Sequence, residues 1–153
     1  MANQTQRPDT ALHNTSHLMQ YHDLIESIVA AMDARDAYTA KHSDRVADMV
    51  LVLATALDLS EDETTLLHMA AHLHDIGKIA VPDSVLRKAG PLTNPEWEEM
   101  RRHPVTGYEI LRKVDDFKEI AVLVRHHHER WDGRGYPDGL RGADIPLGSR
   151  ILA

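Results

Sequence analysis

The chain has 153 residues, a length typical of one domain, and its 42% hydrophobic content is enough to build an ordinary core. It contains no cysteine, which excludes a disulfide framework, a zinc–thiolate site, an iron–sulfur cluster and a thiol nucleophile. The formal net charge of −7 argues against a general binder of DNA or RNA, which needs a basic surface. Histidine is unusually common, with 11 residues, so imidazole and oxygen ligands are the metal chemistry available to this chain.

The polar N-terminus and the lack of long apolar runs indicate where in the cell the protein is located. Residues 1–17 are polar and without periodicity, so we expect a flexible tail followed by a folded domain over residues 18–153. No apolar run approaches the roughly 20 residues that span a bilayer, and the N-terminus lacks the apolar stretch of a signal peptide. The sequence therefore predicts a cytoplasmic protein without a membrane segment.

Apolar residues recur every three to four positions through most of the chain, which predicts an all-α fold. The first predicted helix covers residues 18–35. The second is expected to bury one apolar stripe, formed by Val46, Met49, Val50, Leu53 and Leu57. The patterns Ser60-x-x-Glu63 and Thr93-x-x-Glu96 are capping boxes that predict the starts of two later helices. No segment shows the alternation that is typical of a β-strand.

Two stretches near the end of the chain differ from these helices. Residues 129–148 are rich in glycine and have no helical period, which predicts a long ordered loop of the kind that is often functional. Residues 149–153 are typical of the first turn of another helix, which is too short to be stable alone. We therefore expect the chain to end inside an element, with the domain incomplete at its C-terminus.

Several histidines could ligate a metal, and each also has a purely structural interpretation. His74 and Asp75 are adjacent at a predicted helix end, where an imidazole can bind one ion and a carboxylate can bridge two. A capped helix end with solvated side chains is the alternative. His42 and His103, taken alone, are explained as an interface residue and a capping residue. In the run 126–128, successive side chains project about 100° apart, so two of the three can reach one site.

His68 and His72 form a competing pair, since residues at i and i+4 share one face of a helix. The zinc motif with this spacing carries a glutamate directly after the first histidine, and here Met69 takes that place. We interpret the pair as polar residues of the surface or the core, not as metal ligands. The glycine-rich segment 131–139 could likewise be only a set of tight turns.

Three motifs, in order and with matching spacing, resemble those of the HD-GYP family. They are His-Asp-Ile-Gly-Lys at 74–78, His-Pro-Val-Thr-Gly at 103–107, and the segment 127–137 that ends in Gly-Tyr-Pro. The resemblance covers residues 35–153. It implies an all-α helical bundle of the HD superfamily and a metal-dependent phosphodiesterase that hydrolyses cyclic di-GMP. The Gly-Tyr-Pro signature separates this family from HD hydrolases of other nucleotides.

The resemblance also implies which residues form the site. It implies two divalent metal ions, iron or manganese, with ligands at the ends of helices. The residues that match the metal ligands of the family are His42, His74, Asp75, His103, His127 and His128. Asp75 matches the ligand that bridges both ions, and Lys78 matches a lysine that contacts a substrate phosphate, so His74, Asp75 and Lys78 are the implied catalytic residues. The residues expected to bind substrate beside Lys78 are Arg134, Gly135, Tyr136 and Pro137.

The family resemblance fits the chemistry of a cyclic dinucleotide. Two cations neutralise a phosphodiester and lower the pKa of a water between them, and the hydroxide then opens the ring to a linear dinucleotide. Between Arg125 and Arg150, arginines slightly outnumber acidic residues, which predicts a local cationic group for this anionic substrate. Some family members bind a third metal through a glutamate, but Tyr38 stands at that position, so we expect two.

Two alternatives stay open from the sequence. In the family an aspartate ligand follows the segment that here ends the chain at 150–153, so the domain could be a non-catalytic interaction module. It could instead be an HD phosphohydrolase that acts on mononucleotides or phosphorylated alarmones. Apolar surface left uncovered by missing helices would favour a homodimer or a regulatory protein partner.

Overall fold

The computed structural model describes residues 15–35 and 42–153, which are α-helices joined by short 3-10 turns and loops. The helices, in chain order, are α1 (His22–Arg35), α2 (His42–Ala56), α3 (Glu61–Leu73), α4 (Asp83–Leu86), α5 (Asn94–Met100), α6 (His103–Leu111), α7 (Lys118–His126) and α8 (Leu147–Leu152). In the described ranges one 3-10 helix, Thr15–Tyr21, precedes α1, and three lie between later helices, at Ile76–Ala80, Asp115–Phe117 and Gly142–Asp144. These two described ranges contain no strand, and the predicted all-α fold is confirmed.

The start of α3 is fixed by the capping box that the sequence predicts. The amide N–H of Ser60 donates to the Glu63 carboxylate over 2.9 Å, and the amide of Glu63 donates back to the Ser60 hydroxyl over 3.3 Å. At the start of α5 the amide of Thr93 donates to Glu96 over 2.7 Å. These contacts satisfy N–H groups that the first turn of a helix leaves unpaired. Both predicted helix starts are confirmed.

The core is organised around α3, which packs against α1, α2, α7 and α8. Its buried apolar residues are Leu67, Met69, Ala70, Ala71 and Leu73. The sequence prediction for α2 is partly wrong, because Met49, Leu53 and Leu57 are exposed. The buried face of α2 holds Ser43, Ala47, Val50 and Ala54. Small side chains let two helices approach closely, which explains why alanines and not the larger leucines face α3.

The segment that follows α3 packs closely on α6. Gly77, in the 3-10 helix Ile76–Ala80, lies so near α6 that an added Cβ would stand 1.9 Å from the His103 carbonyl oxygen. Gly107 of α6 faces the same contact, since its Cβ would lie 3.5 Å from the Gly77 nitrogen. Only glycine fits at Gly77 without moving the backbone. This contact brings the N-terminus of α6 beside the C-terminal end of α3.

Arg35, at the end of α1, fixes the same 3-10 helix from the other side. Its guanidinium donates to the carbonyl oxygens of Lys78, Ile79 and Val81 over 3.1, 2.7 and 2.6 Å. It also forms an ion pair with Asp83 at 2.7 Å. These carbonyls lie at the end of a short helix, where carbonyl groups run out of partners within the helix. The Lys78 carbonyl also accepts from the Val81 amide over 3.0 Å. Arg35 thereby holds the backbone that carries Lys78.

Part of the sequence interpretation lies outside the described residues. Most of the predicted tail, residues 1–14, and the position of Tyr38, within 36–41, are in this category. Residues Thr15–Tyr21 form a 3-10 helix that leads into α1, so the boundary at residue 18 stays a prediction. Within the ranges described above, every helix is too short or too polar to cross a bilayer.

Candidate metal centre

His74 is the first residue after α3, and the geometry of the helix end orients its ring. The Nδ1 atom lies 2.7 Å from the carbonyl oxygen of Ala71, three residues earlier. Because a carbonyl oxygen only accepts, Nδ1 must donate the hydrogen bond. In the neutral ring the proton is therefore on Nδ1, and Nε2 keeps a free lone pair. The last carbonyl oxygens of a helix lack N–H partners within the helix, so the bond to His74 replaces none of the helix's own hydrogen bonds.

The same arrangement recurs at two other helix ends. His103 follows α5, and its Nδ1 donates to the Met100 carbonyl over 2.8 Å. His127 follows α7, and its Nδ1 donates to the Val124 carbonyl over 2.6 Å. Metal-binding histidines commonly donate their second ring nitrogen to a carbonyl or carboxylate, which fixes the tautomer and the ring direction. Three separate helix ends therefore present Nε2 atoms that are oriented as ligands.

These Nε2 atoms converge on Asp75. One carboxylate oxygen, Oδ2, lies 3.2 Å from Nε2 of His74, and the other, Oδ1, lies 3.3 Å from Nε2 of His103. His103 and His127 face each other with 3.4 Å between their Nε2 atoms. Tetrahedral coordination with metal–nitrogen bonds of 2.0–2.1 Å separates two nitrogen ligands by about 3.4 Å. The distances therefore fit histidines arranged around a cation.

The ligand atoms form two groups of three, each with all its atoms within 4.8 Å of one another. One group is His42, His74 and Asp75, and the other is His103, His127 and His128. Asp75 belongs to the first group and touches the second through His103. All six residues that match the metal ligands of the HD-GYP family thus lie together. The donor set of imidazole and carboxylate is able to hold divalent metal ions.

Burial keeps most of these imidazoles neutral. It lowers the pKa of His42 and of His103, and it lowers the pKa of His128 to about 4. The pKa of His127 is held well below its usual range by burial and then by the nearby His128 ring. Only the neutral ring has a lone pair for a metal. These four rings are therefore ready to bind a cation at neutral pH.

His74 and Asp75 form a tightly coupled pair. Burial acts to lower the pKa of His74, but the hydrogen bond and the charge of Asp75 outweigh it and raise this pKa overall. Burial acts in the opposite sense on Asp75, but His74 and Lys78 hold the pKa of its carboxyl well below the usual range. Asp75 is therefore an ionised carboxylate in a buried site. A buried anion needs cations around it, and Lys78 and a metal are suited to that requirement.

Lys78 lies one turn beyond Asp75 in the 3-10 helix Ile76–Ala80. Its Nζ atom is 2.7 Å from Oδ2 of Asp75, so the ammonium group is at the edge of the cluster. The sequence predicts a contact between Lys78 and a substrate phosphate. The structure places Lys78 beside the candidate metal ligands, and its contact with a phosphate stays a prediction.

The Gly-Tyr-Pro segment lies over the histidine cluster. The Tyr136 ring stacks on the His128 ring, with 4.8 Å between centroids, and its amide donates to the His128 carbonyl over 3.2 Å. The peptide bond between Tyr136 and Pro137 is cis. Gly135 leaves no room for a side chain, since a Cβ would stand 2.3 Å from the Arg130 nitrogen. The predicted loop residues therefore border the candidate metal ligands, with the exposed Arg134 next to them.

Two arginines of the predicted cationic group form ion pairs with acidic residues of the loop. Arg125 binds the Asp138 carboxylate at 2.7 Å, and Arg130 binds Asp132 at 2.8 Å. Acidic neighbours therefore pair with two of these arginines, and the role of the group in binding a substrate stays a prediction. Arg101, which sequence reasoning did not single out, has its guanidinium 5.5 Å from the centre of the Tyr136 ring.

Glu129 was also missed, although it anchors the loop. Its buried side chain accepts hydrogen bonds through Oε1 from the amides of Asp138 and Gly139, over 2.7 and 3.0 Å. These two bonds close the loop around the Gly-Tyr-Pro segment. The only sequence signal was an acidic residue directly after the histidine run, and it does not reveal partners nine and ten residues away.

We expect Glu129→Ala to lower the free energy of unfolding by about 2–3 kcal/mol, because hydrogen bonds to a charged group are worth more than neutral ones. This corresponds to a fall in melting temperature of roughly 4–12 °C. Hydrogen exchange of the Asp138 and Gly139 amides should accelerate more than elsewhere. The control is Asp144→Ala, which removes an exposed carboxylate of the same loop and should change stability by less than about 0.5 kcal/mol. Unchanged exchange at both amides would contradict this role of Glu129.

Comparison with known proteins supports this reading of the site. The sequence profile of the HD domain family matches residues 22–153. The chain is 45% identical over 133 residues to the cyclic di-GMP phosphodiesterase response regulator RpfG of Xanthomonas campestris pv. campestris. It is 43% identical over 136 residues to 3'3'-cGAMP-specific phosphodiesterase 2 of Vibrio cholerae, and 38% identical over 133 residues to a cyclic di-GMP phosphodiesterase of Thermotoga maritima.

Each of these alignments covers 86% of this chain, which spans 35%, 26% and 36% of the three relatives in turn. The matched region includes the histidine cluster, Asp75 and the Gly-Tyr-Pro segment. The similarity predicted from the three HD-GYP motifs is confirmed by the family match and by the names of these relatives. The chain belongs to the HD domain family.

Proposed function

We propose that this chain is a phosphodiesterase domain that hydrolyses cyclic di-GMP to a linear dinucleotide. The observation that carries the proposal is the position of Asp75, whose two oxygens face His74 and His103, one from each group of ligands. A carboxylate in that position suits a pair of metal ions. Three relatives of this chain are named for the hydrolysis of cyclic dinucleotides, which supports the substrate class.

The ligand set supports iron or manganese as the two ions. It combines imidazoles with one ionised carboxylate and contains no thiolate, and both ions accept this mixture. His42, His74 and Asp75 would hold one ion, and His103, His127 and His128 the other, with Asp75 shared. When bound, such a pair neutralises the phosphodiester and lowers the pKa of water between the ions.

The remaining roles belong to residues around the ligands. Lys78 would place its ammonium group against the same phosphate, where a point charge stabilises the negative charge that develops during hydrolysis. Tyr136, stacked on His128 and facing Arg101, would border the dinucleotide with an aromatic surface. Arg134, Gly135 and Pro137 would shape that side of the site. The Nδ1 hydrogen bonds of the histidines to helix ends keep the ligands in place during turnover.

The proposal is tested by loading the chain with Fe²⁺ or Mn²⁺ under anaerobic conditions and following cyclic di-GMP by chromatography and mass spectrometry. We expect a linear dinucleotide. His128→Gln should reduce turnover at least about 100-fold, the usual cost of losing one electrostatic contact at a reaction centre. His126→Gln is the matched control, because the neighbouring His126 points to Asp138, 3.0 Å away, and not to the cluster.

A substrate panel separates the alternatives. Relatives named as 3'3'-cGAMP-specific phosphodiesterases make 3'3'-cGAMP the second cyclic substrate to compare. Turnover of mononucleotides or alarmones at similar rates would favour a broader HD phosphohydrolase over our proposal. Bound metal without turnover of any cyclic dinucleotide would favour the non-catalytic module.

Partners and location remain predictions from the sequence. The predicted homodimer or regulatory partner would cover exposed apolar side chains, and α2 carries such a surface at Met49, Val52 and Leu57. The chain is proposed to act in the cytoplasm.

A further inference from the structure

A second cluster of histidines lies outside the candidate metal centre. His22 is the first residue of α1, and His68 and His72 are one turn apart on α3. One ring nitrogen from each of the three lies within 4.8 Å of the other two. This cluster shares no residue with the two groups around Asp75. Its function is not accounted for by the proposed hydrolysis.

His68 and His72 face each other through their Nε2 atoms. Their Nε2 atoms are 3.3 Å apart, and the rings are nearly perpendicular. Tetrahedral bonds of 2.0–2.1 Å to one ion separate two nitrogen ligands by about 3.4 Å. The distance is close to that between His103 and His127, which is 3.4 Å. The pair therefore has the spacing of two ligands of one ion.

The other ring nitrogen of each histidine, Nδ1, points toward a polar group. Asp44 Oδ1 lies 3.9 Å from Nδ1 of His72, and the Ala47 carbonyl faces the His68 ring. Both Nδ1 atoms are buried, and neither has a hydrogen-bond partner within 3.5 Å among the residues that the structure describes. A carboxylate or carbonyl near Nδ1 is the usual second contact of a metal-binding histidine. With the proton on Nδ1, the two Nε2 lone pairs would face each other and require a cation between them.

The surroundings of the cluster are acidic. Glu26 Oε1 lies 3.6 Å from Nε2 of His22, and the charges of Asp44 and Asp48 act on His72. Burial lowers the pKa of His68, so this ring is neutral near pH 7. Neutral imidazoles with carboxylates around them favour a divalent cation over an anion.

We propose that His22, His68 and His72 form a second, separate site for a divalent transition-metal ion such as Zn²⁺. Three imidazoles leave a fourth position, which Glu26 or water can take. The site joins the start of α1 to the middle of α3, so an ion bound there ties the N-terminal helix to the core. The spacing of His68 and His72 without a following glutamate led us to interpret them as polar residues only. The third histidine, 46 positions away in sequence, changes that interpretation.

The test counts Zn²⁺ per chain by equilibrium dialysis and elemental analysis. The double variant His22→Gln, His68→Gln should bind one Zn²⁺ fewer than the wild type, while circular dichroism stays unchanged because both side chains are partly exposed. The complementary variant His103→Gln, His128→Gln disables the candidate metal centre. In that variant, Zn²⁺ should shift the ring ¹⁵N resonances of His22, His68 and His72.

A conservative variant tests the second contact of His72. Asp44→Asn should weaken Zn²⁺ binding at this site about 10–100-fold, as is usual when a carboxylate beside a ligating histidine is removed. Glu119→Gln, an exposed carboxylate on α7, is the matched control and should leave the affinity unchanged. Equal Zn²⁺ stoichiometry in the wild type and the His22, His68 double variant would overturn the proposal. So would ring resonances that do not respond to Zn²⁺, since a proton shared between the two Nε2 atoms would then explain the 3.3 Å distance.

Discussion

Replacing Asp75 by asparagine is expected to reduce the hydrolysis of cyclic di-GMP by at least about 10²–10³-fold, the loss that follows removal of one electrostatic contact at a reaction centre. Asparagine has nearly the same shape but carries no charge. The side chain would still fill the site between His74 and His103. It could no longer neutralise two cations, so metal content should fall together with turnover.

The same variant has a readout that does not depend on turnover. In the metal-free wild type, Asp75 raises the pKa of His74, whereas burial and Lys78 both act to lower it. In Asp75→Asn both raising effects of Asp75 are lost and only that of the hydrogen bond to the Ala71 carbonyl remains. Burial, the largest of the causes, should then move the pKa of His74 from above its ordinary value to below it. An NMR titration of the His74 ring measures this shift. Asp144→Asn, an exposed carboxylate in the loop before α8, is the control and should leave both turnover and the His74 titration unchanged.

Full turnover in Asp75→Asn would contradict the role proposed for this carboxylate as the group shared by two ions. An unchanged pKa of His74 would contradict the electrostatic coupling itself. The two measurements are independent, because the first needs bound metal and the second is made without it.

The sequence was sufficient for the local structure of this fold. Helical periodicity and the capping boxes at Ser60 and Thr93 act within a few residues, so they are readable from sequence alone. Periodicity did not predict which residues of α2 are buried. Its larger apolar residues Met49 and Leu57 lie outside, because the tight contact with α3 selects Ala47 and Ala54. Which of two apolar stripes is buried depends on the neighbouring helix.

The ligand set shows a similar division. Motif resemblance pointed to the residues, but spacing could not reveal why their rings converge. The orienting hydrogen bonds run from His74, His103 and His127 to carbonyls three residues earlier, and every histidine near a helix end has such a carbonyl. What selects these three is the packing of the helix ends against one another. The cluster of His22 with His68 also depends on tertiary contact, between α1 and α3.

The contact that joins these helix ends is the most sensitive point of the fold. We expect Gly77→Ala to lower the free energy of unfolding by about 3 kcal/mol or more, at the upper end of what an added methyl costs in a packed core. The new Cβ would stand 1.9 Å from the His103 carbonyl oxygen and 2.6 Å from the Gly107 nitrogen. Both are backbone atoms, so no side-chain rotation can relieve the clash. The melting temperature should fall by roughly 6–12 °C.

Two other glycines provide a graded comparison. Gly107→Ala should cost less, because the shortest contact of its Cβ would be 2.9 Å to a methyl group of Val124 and not 1.9 Å to a backbone atom. Gly90→Ala should be neutral or stabilise by up to about 1 kcal/mol, since nothing lies within 4 Å of its Cβ and the substitution restricts the unfolded chain. Thermal unfolding of the three variants should therefore rank them Gly77, Gly107, Gly90 from most to least damaging. Relief of the clash in Gly77→Ala must displace His103 from Asp75, so this variant should also bind metal more weakly. Equal melting temperatures in all three variants would show that the contact between Gly77 and His103 does not hold the site together.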